Sequence, residues 1–182
     1  MPVTEDLKRA VLASKADPAW FAKNMLGLDL WEKQEEILRA TRKYRDVVVP
    51  SCHASGKTHD AATAAVDHIM NHRAGTAACI VTSSDWEQVQ SQIFPEMYAQ
   101  LGRQGNIQWQ LKTTKENETM LQLPGGNFVL GKSTNKATSF HGYHARYMLV
   151  ILDEFSGIDP LIYQSMSGLR AGGDVHFLYL LN

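Results

Sequence analysis

Residues 46–62, DVVVPSCHASGKTHDAA, decide the fold of this chain. The apolar run from Val47 to Val49 is typical of a strand that is buried on both faces of a sheet. A loop of small residues follows. From Gly56 the sequence is rich in alanine and has apolar residues at helical spacing, which predicts a helix with Gly75 as its C-terminal stop. A buried strand, a tight loop and a helix in this order predict a loop that holds phosphate with its backbone N–H groups and the positive helix N-terminus.

The loop fits the pattern G-x-x-x-x-G-K-[ST] except at its first position, where Ser51 replaces glycine. We expect this replacement to be tolerated if the backbone angles of Ser51 are ordinary, because N–H groups rather than side chains hold the phosphate. Lys57 is expected to contact the outer phosphates of ATP, and the Thr58 hydroxyl to coordinate Mg²⁺. The predicted ATP-binding (Walker A) residues are Ser51, Cys52, His53, Ala54, Ser55, Gly56, Lys57 and Thr58.

A second stretch, GGNFVLGKST at residues 125–134, fits the same pattern at every position, from Gly126 to Ser133. Its context does not suit phosphate binding. The four loop positions, NFVL, look like a strand, and extended backbone cannot curl around an anion. The polar segment after Ser133 has no apolar residues at the spacing of a helix, so no helix is predicted to follow. We therefore interpret residues 119–131 as two strands joined by a turn at Pro124 to Asn127, and Lys132 as the far end of this hairpin.

The segment YMLVILDE, residues 147–154, is the most strongly apolar strand of the sequence and ends in two acids. Acids at the carboxyl end of a buried strand are typical of a Walker B motif. Asp153 is expected to hold Mg²⁺, directly or through water, and Glu154 to act as the general base that activates the attacking water. Together with the loop at Lys57, the two acids predict a Mg²⁺-dependent ATPase.

The order of elements predicts an α/β fold, a P-loop NTPase with a mainly parallel sheet and helices on both faces. The chain of 182 residues is long enough for one domain. Residues 1–45 read as helical and are assigned to the ATPase domain as an N-terminal segment on the adenine side; residues 46–182 form its core. The last predicted strand, VHFLYLLN, ends at Asn182 without a helix to cover it, so we expect the chain to be a fragment of a longer protein.

Residues 77–84, AACIVTSS, add a buried strand between the loop and the acids. Such an intervening strand, with a catalytic acid beside Asp153, favours the RecA-like (ASCE) branch of motor ATPases and helicases over small GTPases. With 18 basic and 19 acidic residues, the net charge of −1 gives no global attraction to nucleic acid. DNA contacts would use local patches such as RATRKYR, residues 39–45. No apolar run approaches the length of a membrane span, and no membrane partner is expected.

The sequence resembles the ATPase domain of the large terminase subunit, the DNA-packaging motor of tailed bacteriophages, from about residue 17 to the end. The resemblance lies in the order and spacing of several segments. These are DPAWFAKNMLGLDLWEKQEEIL, VVVPSCHASGKT, ACIVTSSDWEQVQSQIFPEMY, SFHGYHARYMLVILDEFSGID and FLYLLN.

The resemblance implies roles for residues outside the two motifs. Gln34 would be the glutamine that reads adenine, and Asn182, in the family's coupling motif, would sense the nucleotide state. The family often has arginines where this sequence has His53 and His141. Histidine is only partly charged near neutral pH, so it is a poorer stabiliser of transition-state phosphate.

A neighbouring subunit would supply any arginine finger. Arg146 is the candidate nearest to the motif by position, and Arg103 and Arg170 are weaker candidates. The resemblance further implies packaging of double-stranded viral DNA into a procapsid. The partners would be the portal protein, a small terminase subunit and further copies of the chain in a ring, expected to be a pentamer. The protein would act in the cytoplasm of the bacterial host, docked at the portal, and would not be a virion component. No nuclease activity is expected, because the family's nuclease follows the ATPase domain.

Three other interpretations remain open. A helicase-type DNA translocase would need a second RecA-like half, whose arginines complete the site. A nucleotide-gated DNA-binding module would hold ATP without turning it over, which Ser51 and the missing family arginines favour and Glu154 opposes. A purely structural α/β domain would leave Lys57, Thr58, Asp153 and Glu154 without a common purpose.

Overall fold

The computed structural model of the protein describes residues 5–52, 55–102, 110–115, 118–133 and 143–181. Its helices are α1 (Glu5–Ala16), α2 (Pro18–Met25), α3 (Glu32–Lys43), α4 (Lys57–Asn71), α5 (Trp86–Gln88), α6 (Phe94–Gly102) and α7 (Pro160–Ser167). A π-helical segment (Val89–Ile93) joins α5 to α6, and 3₁₀ helices flank α7 (Phe155–Gly157 and Gly168–Gly172). Its strands are β1 (Asp46–Pro50), β2 (Ala77–Ser83), β3 (Gln110–Lys115), β4 (Glu118–Gln122), β5 (Phe128–Lys132), β6 (Tyr147–Asp153) and β7 (Asp174–Leu181). No helix in these ranges is long and apolar enough to cross a bilayer.

The strands form one seven-stranded sheet in the order β1-β7-β6-β2-β5-β4-β3. From β1 to β5 every neighbouring pair is parallel, and β4 and β3 extend the sheet antiparallel. This confirms the predicted α/β class with a mainly parallel sheet. Because β1, β7, β6 and β2 are parallel neighbours, their carboxyl ends lie along one edge of the sheet. The predicted site residues follow β1 and β6 at this edge.

Helices cover both faces of the sheet, as predicted. Successive strand residues point to opposite faces. In β6, Leu149 and Ile151 belong to the core beneath α2, α3, α4 and α6. Met148 and Val150 belong to the core beneath α7 and the 3₁₀ helices. Of the N-terminal segment, α2 and α3 therefore pack on the same sheet as the rest of the chain.

The strand β1 differs from its prediction as a strand buried on both faces. It pairs with β7 alone and is the edge strand of the described sheet. Val48 is 60% exposed, whereas Val47 is buried. The apolar run VVV is therefore not sufficient to place a strand in the interior, because a strand's neighbours are set by the topology of the whole sheet.

The apolar spacing of residues 85–102 predicts a helix that is bent at Pro95, with Trp86, Val89, Ile93, Met97 and Leu101 on one face. The helix forms, but its middle is π-helical. The Phe94 N–H donates to the Val89 carbonyl, five residues earlier. Pro95 comes next and has no N–H to donate, so the regular bonding pattern is interrupted where the sequence predicted a bend. Four residues of the predicted face, Val89, Ile93, Met97 and Leu101, are fully buried, whereas Trp86 is half-buried.

Two elements, β3 and α7, have no counterpart in the predictions. The start of α7 did carry a signal. Asp159 caps the helix by accepting a hydrogen bond from the Leu161 N–H at 2.7 Å, and Pro160 is its first residue. The same Asp-Pro pattern begins α2, where Asp17 accepts a hydrogen bond from the Ala19 N–H.

The basic segment at residues 39–45 is largely neutralised within the chain. Each arginine lies near a carboxylate: Arg39 contacts Asp17 at 3.0 Å, Arg42 contacts Asp67 at 2.7 Å, and Arg45 lies 4.0 Å from Asp174. Arg42 also donates to the Ser14 and Lys15 carbonyls at the end of α1. The segment therefore offers DNA less free positive charge than its sequence suggests.

The hairpin predicted around Pro124 to Asn127 is confirmed. The strands β4 and β5 pair antiparallel, and Gly126 in the turn has φ 94°. Gly131 and Lys132 lie within β5. The second match to the phosphate-loop pattern is therefore a strand, as its apolar residues predicted.

The neighbours of Gly131 leave no room for a side chain at this position of the strand. A Cβ at this position would lie 2.6 Å from Phe94 Cε2 and 2.9 Å from Thr119 Cγ2. We expect Gly131→Ala to lower the free energy of unfolding by about 1–3 kcal/mol through overpacking, as measured by urea denaturation. Gly168→Ala is the matched control, since a Cβ there meets nothing within 4 Å. Equal stability of the two variants would contradict this packing.

Candidate active site

The phosphate loop begins where β1 and β7 end. The Ser51 N–H donates to the Leu181 carbonyl at 3.2 Å, which extends the β1–β7 pairing to the first residue of the loop. The loop ends at Gly56, which has φ 92° and precedes the first residue of α4. Because glycine alone adopts this conformation without strain, Gly56 allows the sharp turn from loop to helix. His53 and Ala54 lie outside the described residues.

Lys57 reaches back over the loop from the first turn of α4. Its Nζ donates to the Cys52 carbonyl at 3.1 Å and to the Ser51 carbonyl at 3.3 Å. The ammonium group is therefore held above the loop, at the N-terminus of α4, where the helix dipole also favours anions. Thr58, in the same helical turn, lines a cleft above the loop together with Lys57.

Lys132, from the second match, has different surroundings. It is buried, and its Nζ donates to the Tyr143 hydroxyl at 3.1 Å and lies over the Tyr143 ring. Its backbone carbonyl accepts a hydrogen bond from the Thr82 hydroxyl at 2.7 Å. Lys132 thus fastens β5 to its neighbours, which is a structural role.

Asp153 ends β6 at the same edge as the phosphate loop. It is only 3% exposed, and burial raises the pKa of its carboxyl to about 6, although the Glu154 N–H and the charge of Lys57 oppose this rise. Lys57, Thr58 and Asp153 line the same cleft. A buried carboxylate and a threonine hydroxyl that line one cleft are oxygen donors of the kind that Mg²⁺ prefers, so the residues fit this ion.

Glu154 has a strained backbone and a firmly held side chain. Its φ of 48° is the one positive φ of a non-glycine residue in the described ranges, and such a conformation costs on the order of 1–3 kcal/mol. Gln88 donates to one of its carboxylate oxygens at 2.8 Å, and Ser84 donates to the other at 3.1 Å. Strain of this kind persists where surrounding contacts fix a functional group. The sequence predictions did not include Ser84 and Gln88; their position directly after β2 was the available signal.

Six of the predicted residues meet in one cleft of about 690 Å³: Ser55, Gly56, Lys57 and Thr58 of the loop, with Asp153 and Glu154. Its volume is within the usual range of ligand sites. The walls come from the loop, α4, the end of β6 and the segment after β2, and include Gly56, Lys57, Thr58, Asp153, Glu154, Gln88 and Glu96. The structure thus brings together the phosphate-binding, metal-binding and general-base candidates.

Gln34 lies beside the phosphate loop in an unexpected orientation. The side chain is 7% exposed, its Oε1 accepts a weak hydrogen bond from the Trp31 N–H at 3.4 Å, and it also hydrogen-bonds Asp60. A Cβ on Gly56 would lie 2.9 Å from the Gln34 amide nitrogen. The predicted adenine-reading side chain is therefore packed against the loop and α4.

Asp60 gives a stability prediction because burial raises its pKa from 3.8 to about 7, against the opposing Gln34 hydrogen bond. The folded state binds this proton more tightly than the unfolded state, so stability falls as pH rises from about 4 to 7. Asp60→Asn has no such proton. We therefore expect Asp60→Asn to gain stability relative to the wild type as pH rises. The difference in free energy of unfolding, variant minus wild type, should be about 2 kcal/mol higher at pH 8 than at pH 4.5, as measured by urea denaturation. Asp29→Asn, an exposed control, should show no such change, and the same flat result for Asp60→Asn would contradict the burial effect.

The two arginine-finger candidates that the structure describes, Arg146 and Arg170, lie away from the cleft. Arg146 is exposed and precedes β6, so it is at the opposite edge of the sheet from Asp153, about 20 Å away along the strand. It cannot contact the nucleotide of its own subunit, and its role as a donor to a neighbouring subunit stays a prediction. Arg170 pairs with Asp46 and lies over the Phe177 ring. Arg103, His141 and Asn182 lie outside the described residues.

The fold is that of large terminase ATPase domains. It is similar to the large terminase of the thermophilic bacteriophage D6E, with a TM-score of 0.64 and 12% identity over 85% of this chain. It is also similar to the large terminase ATPase domain of Thermus phage P74-26, with a TM-score of 0.58 and 18% identity over 100% of this chain. The D6E large terminase in complex with ATP-gamma-S gives a TM-score of 0.61 at 12% identity over 85% of this chain.

The chain spans only part of these proteins. It covers 39% of the D6E large terminase chain, 38% of the chain in the ATP-gamma-S complex and 70% of the P74-26 ATPase domain chain. No protein-family model and no curated protein matches the sequence. At these identities the likeness is one of fold, and the predicted P-loop, RecA-like α/β architecture is confirmed by it.

Proposed function

We propose that this chain is a Mg²⁺-dependent ATPase that powers the packaging of double-stranded viral DNA. The observation that carries the proposal is the convergence of Lys57, Thr58, Asp153 and Glu154 in one cleft of a large-terminase ATPase fold. The D6E large terminase has been solved in complex with ADP and with ATP-gamma-S, which supports nucleotide binding by this fold.

The residues of the cleft divide the chemistry of hydrolysis among them. The loop N–H groups and Lys57 bind and orient the phosphates, since both carry positive charge at the N-terminus of α4. Thr58 and Asp153 would hold Mg²⁺, which when bound neutralises charge on the β- and γ-oxygens. Glu154 accepts the proton of the attacking water.

Ser84 and Gln88 act on this step through Glu154. They occupy both of its carboxylate oxygens and so fix the carboxylate in the cleft. A general base that is held in this way has its orientation fixed before the water attacks the phosphate. The water must then approach between these two donors and the phosphates.

The proposed motor function rests on the similarity of fold to large terminases, and it implies partner proteins. We infer that copies of the chain form a ring, a pentamer, at the portal protein of a procapsid in the host cytoplasm, with a small terminase subunit as a further partner. Gln34 would contribute to the adenine side of the site and Asn182 to the coupling of hydrolysis to DNA. Asn182 follows Leu181, whose carbonyl bonds the first loop residue, so a change at the phosphates has a short route to this strand end.

Translocation can be tested with a double-stranded DNA track that carries a triplex-forming oligonucleotide. We expect the protein to displace the oligonucleotide with Mg·ATP, with a rate that rises steeply with protein concentration, and double-stranded DNA to stimulate turnover. The Glu154→Gln variant is the control and should displace nothing. ATP turnover without DNA stimulation or displacement at any concentration would contradict the motor function. Binding of ATP and DNA without turnover would instead support the nucleotide-gated module.

A further inference from the structure

The backbone turn after Glu154 lies directly against the segment that holds its carboxylate. In the sheet register Ser83 is the partner of Asp153, so Ser84 and Glu154 are the first residues after two neighbouring strands. The Glu154 carbonyl accepts a hydrogen bond from the Gly157 N–H at 2.9 Å, which closes the 3₁₀ turn. The turn brings Gly157 against Ser84. The general-base candidate, the turn and the donor Ser84 therefore form one closed unit.

Gly157 leaves room for Ser84 at the place where a side chain would begin. Its φ is not positive, so its backbone does not itself require glycine. A Cβ on Gly157, however, would lie 2.8 Å from both Ser84 Cβ and Ser84 Oγ. Non-bonded carbon atoms prefer a separation of about 3.5–4.0 Å and repel strongly at shorter distances. Because rotation of the Ser84 side chain cannot move its Cβ, the backbone after β2 would have to shift.

Such a shift would reach the general base. Ser84 and Gln88 both lie in the segment after β2, and they donate to the two oxygens of the Glu154 carboxylate at 3.1 Å and 2.8 Å. Displacing this segment moves the donors that fix the carboxylate. The small size of Gly157 is thus a condition for the observed position of Glu154.

Phe155 anchors the same turn to the sheet. Its ring packs edge-on against Tyr179 of β7 and Tyr163 of α7, with ring centroids 4.9 Å and 5.3 Å away. The Tyr179 hydroxyl donates to Asp46 at 2.9 Å, so Tyr179 is itself held by β1. Edge-to-face aromatic pairs add to the stabilisation that burial gives. Phe155 thus fixes the residue after Glu154, whose left-handed backbone persists only where its surroundings hold it.

We propose that Gly157 and Phe155 are positioning residues of the general base. Gly157 gives Ser84 the room to reach the Glu154 carboxylate, and Phe155 holds the strained backbone of Glu154 in place. Neither is among the described residues that line the cleft, so both act on hydrolysis through Glu154. This inference rests on the proposed function, because a general base exists only if the cleft hydrolyses ATP.

The test compares the rate of ATP hydrolysis in a single turnover with the affinity for Mg·ATP in the same preparation. We expect Gly157→Ala to bind Mg·ATP as the wild type does and to hydrolyse it on the order of 10–100-fold more slowly, since a small misplacement of a catalytic group has an effect of this size. Gly168→Ala is the matched control and should keep both quantities, because a Cβ there meets nothing within 4 Å. Unchanged affinity separates a misplaced base from a misfolded protein.

A double-mutant cycle with Ser84→Gly tests the route through Ser84. Removing this side chain costs one hydrogen bond to Glu154 but leaves space for a Cβ on Gly157. Gly157→Ala should therefore slow hydrolysis much less in the Ser84→Gly background than in the wild type. Equal effects in the two backgrounds, or undiminished hydrolysis in Gly157→Ala, would overturn the role of Gly157.

Phe155→Ala should likewise slow hydrolysis and leave the affinity for Mg·ATP unchanged. Tyr163→Phe is its control and should keep the wild-type rate, because it retains the ring next to Phe155 and loses only the hydroxyl that contacts Tyr179. Wild-type hydrolysis in folded Phe155→Ala would overturn the role of Phe155. Wild-type protein that binds ATP without hydrolysing it would overturn the proposed function, and this inference with it.

Discussion

Lys57→Ala is expected to lose measurable ATP binding, whereas Lys132→Ala should bind ATP nearly as the wild type does. Lys57 lies above the phosphate loop, where its Nζ contacts the Ser51 and Cys52 carbonyls. Removing it leaves the phosphate charge without its nearest cation, and a charge-assisted hydrogen bond to phosphate is about twice as strong as a neutral one. Isothermal titration with Mg·ATP measures this loss directly.

Lys132→Ala serves as the control because both lysines follow a glycine in the same sequence pattern. Lys132 is buried in the sheet and bonds Tyr143, so its loss is expected to lower stability but not nucleotide affinity. Thermal melting of both variants separates the two effects. If the folded Lys132→Ala variant lost ATP binding while Lys57→Ala retained it, the wrong loop would have been identified.

Glu154→Gln is expected to bind ATP with near-wild-type affinity and to hydrolyse it about 10²–10⁴-fold more slowly, the usual effect of removing a general base. Glutamine has the same shape, so it can keep a bond to Ser84 or Gln88, but it cannot accept a proton from water. Single-turnover phosphate release, with binding measured in parallel, gives both quantities.

Glu87→Gln is the matched control for this variant. Glu87 is exposed in α5, next to Gln88 in sequence. It should retain full turnover. Undiminished turnover in Glu154→Gln would remove Glu154 as the base, and a loss in both variants would point to a general charge effect instead.

Short-range sequence patterns were sufficient to predict the strand, loop and helix at residues 46–62. They were also sufficient to predict the two acids at the end of β6. The spacing of apolar residues, Gly56 and the two acids indicate where each strand ends. Because the strands are parallel, these ends then lie at one edge of the sheet. The rejection of the second match rested on the same principle, since FVLGK is a strand whatever motif its letters spell.

What the sequence did not predict depends on long-range packing. The exposed edge of β1 is set by strand order, and the left-handed backbone of Glu154 is held by contacts with Ser84 and Gln88 on another segment. The orientation of Gln34 toward Asp60 depends on how α3 packs against α4. The distance of Arg146 from the cleft, by contrast, follows from the sequence, because Arg146 precedes the predicted strand that Asp153 ends.

The central claim is that the cleft at Lys57 hydrolyses ATP, and steady-state phosphate release with Mg·ATP at rising protein concentration tests it most directly. We predict that specific activity climbs with concentration and vanishes in Lys57→Ala, because the subunits of the proposed ring would complete one another's sites. Bound ATP without released phosphate at any concentration would contradict the claim.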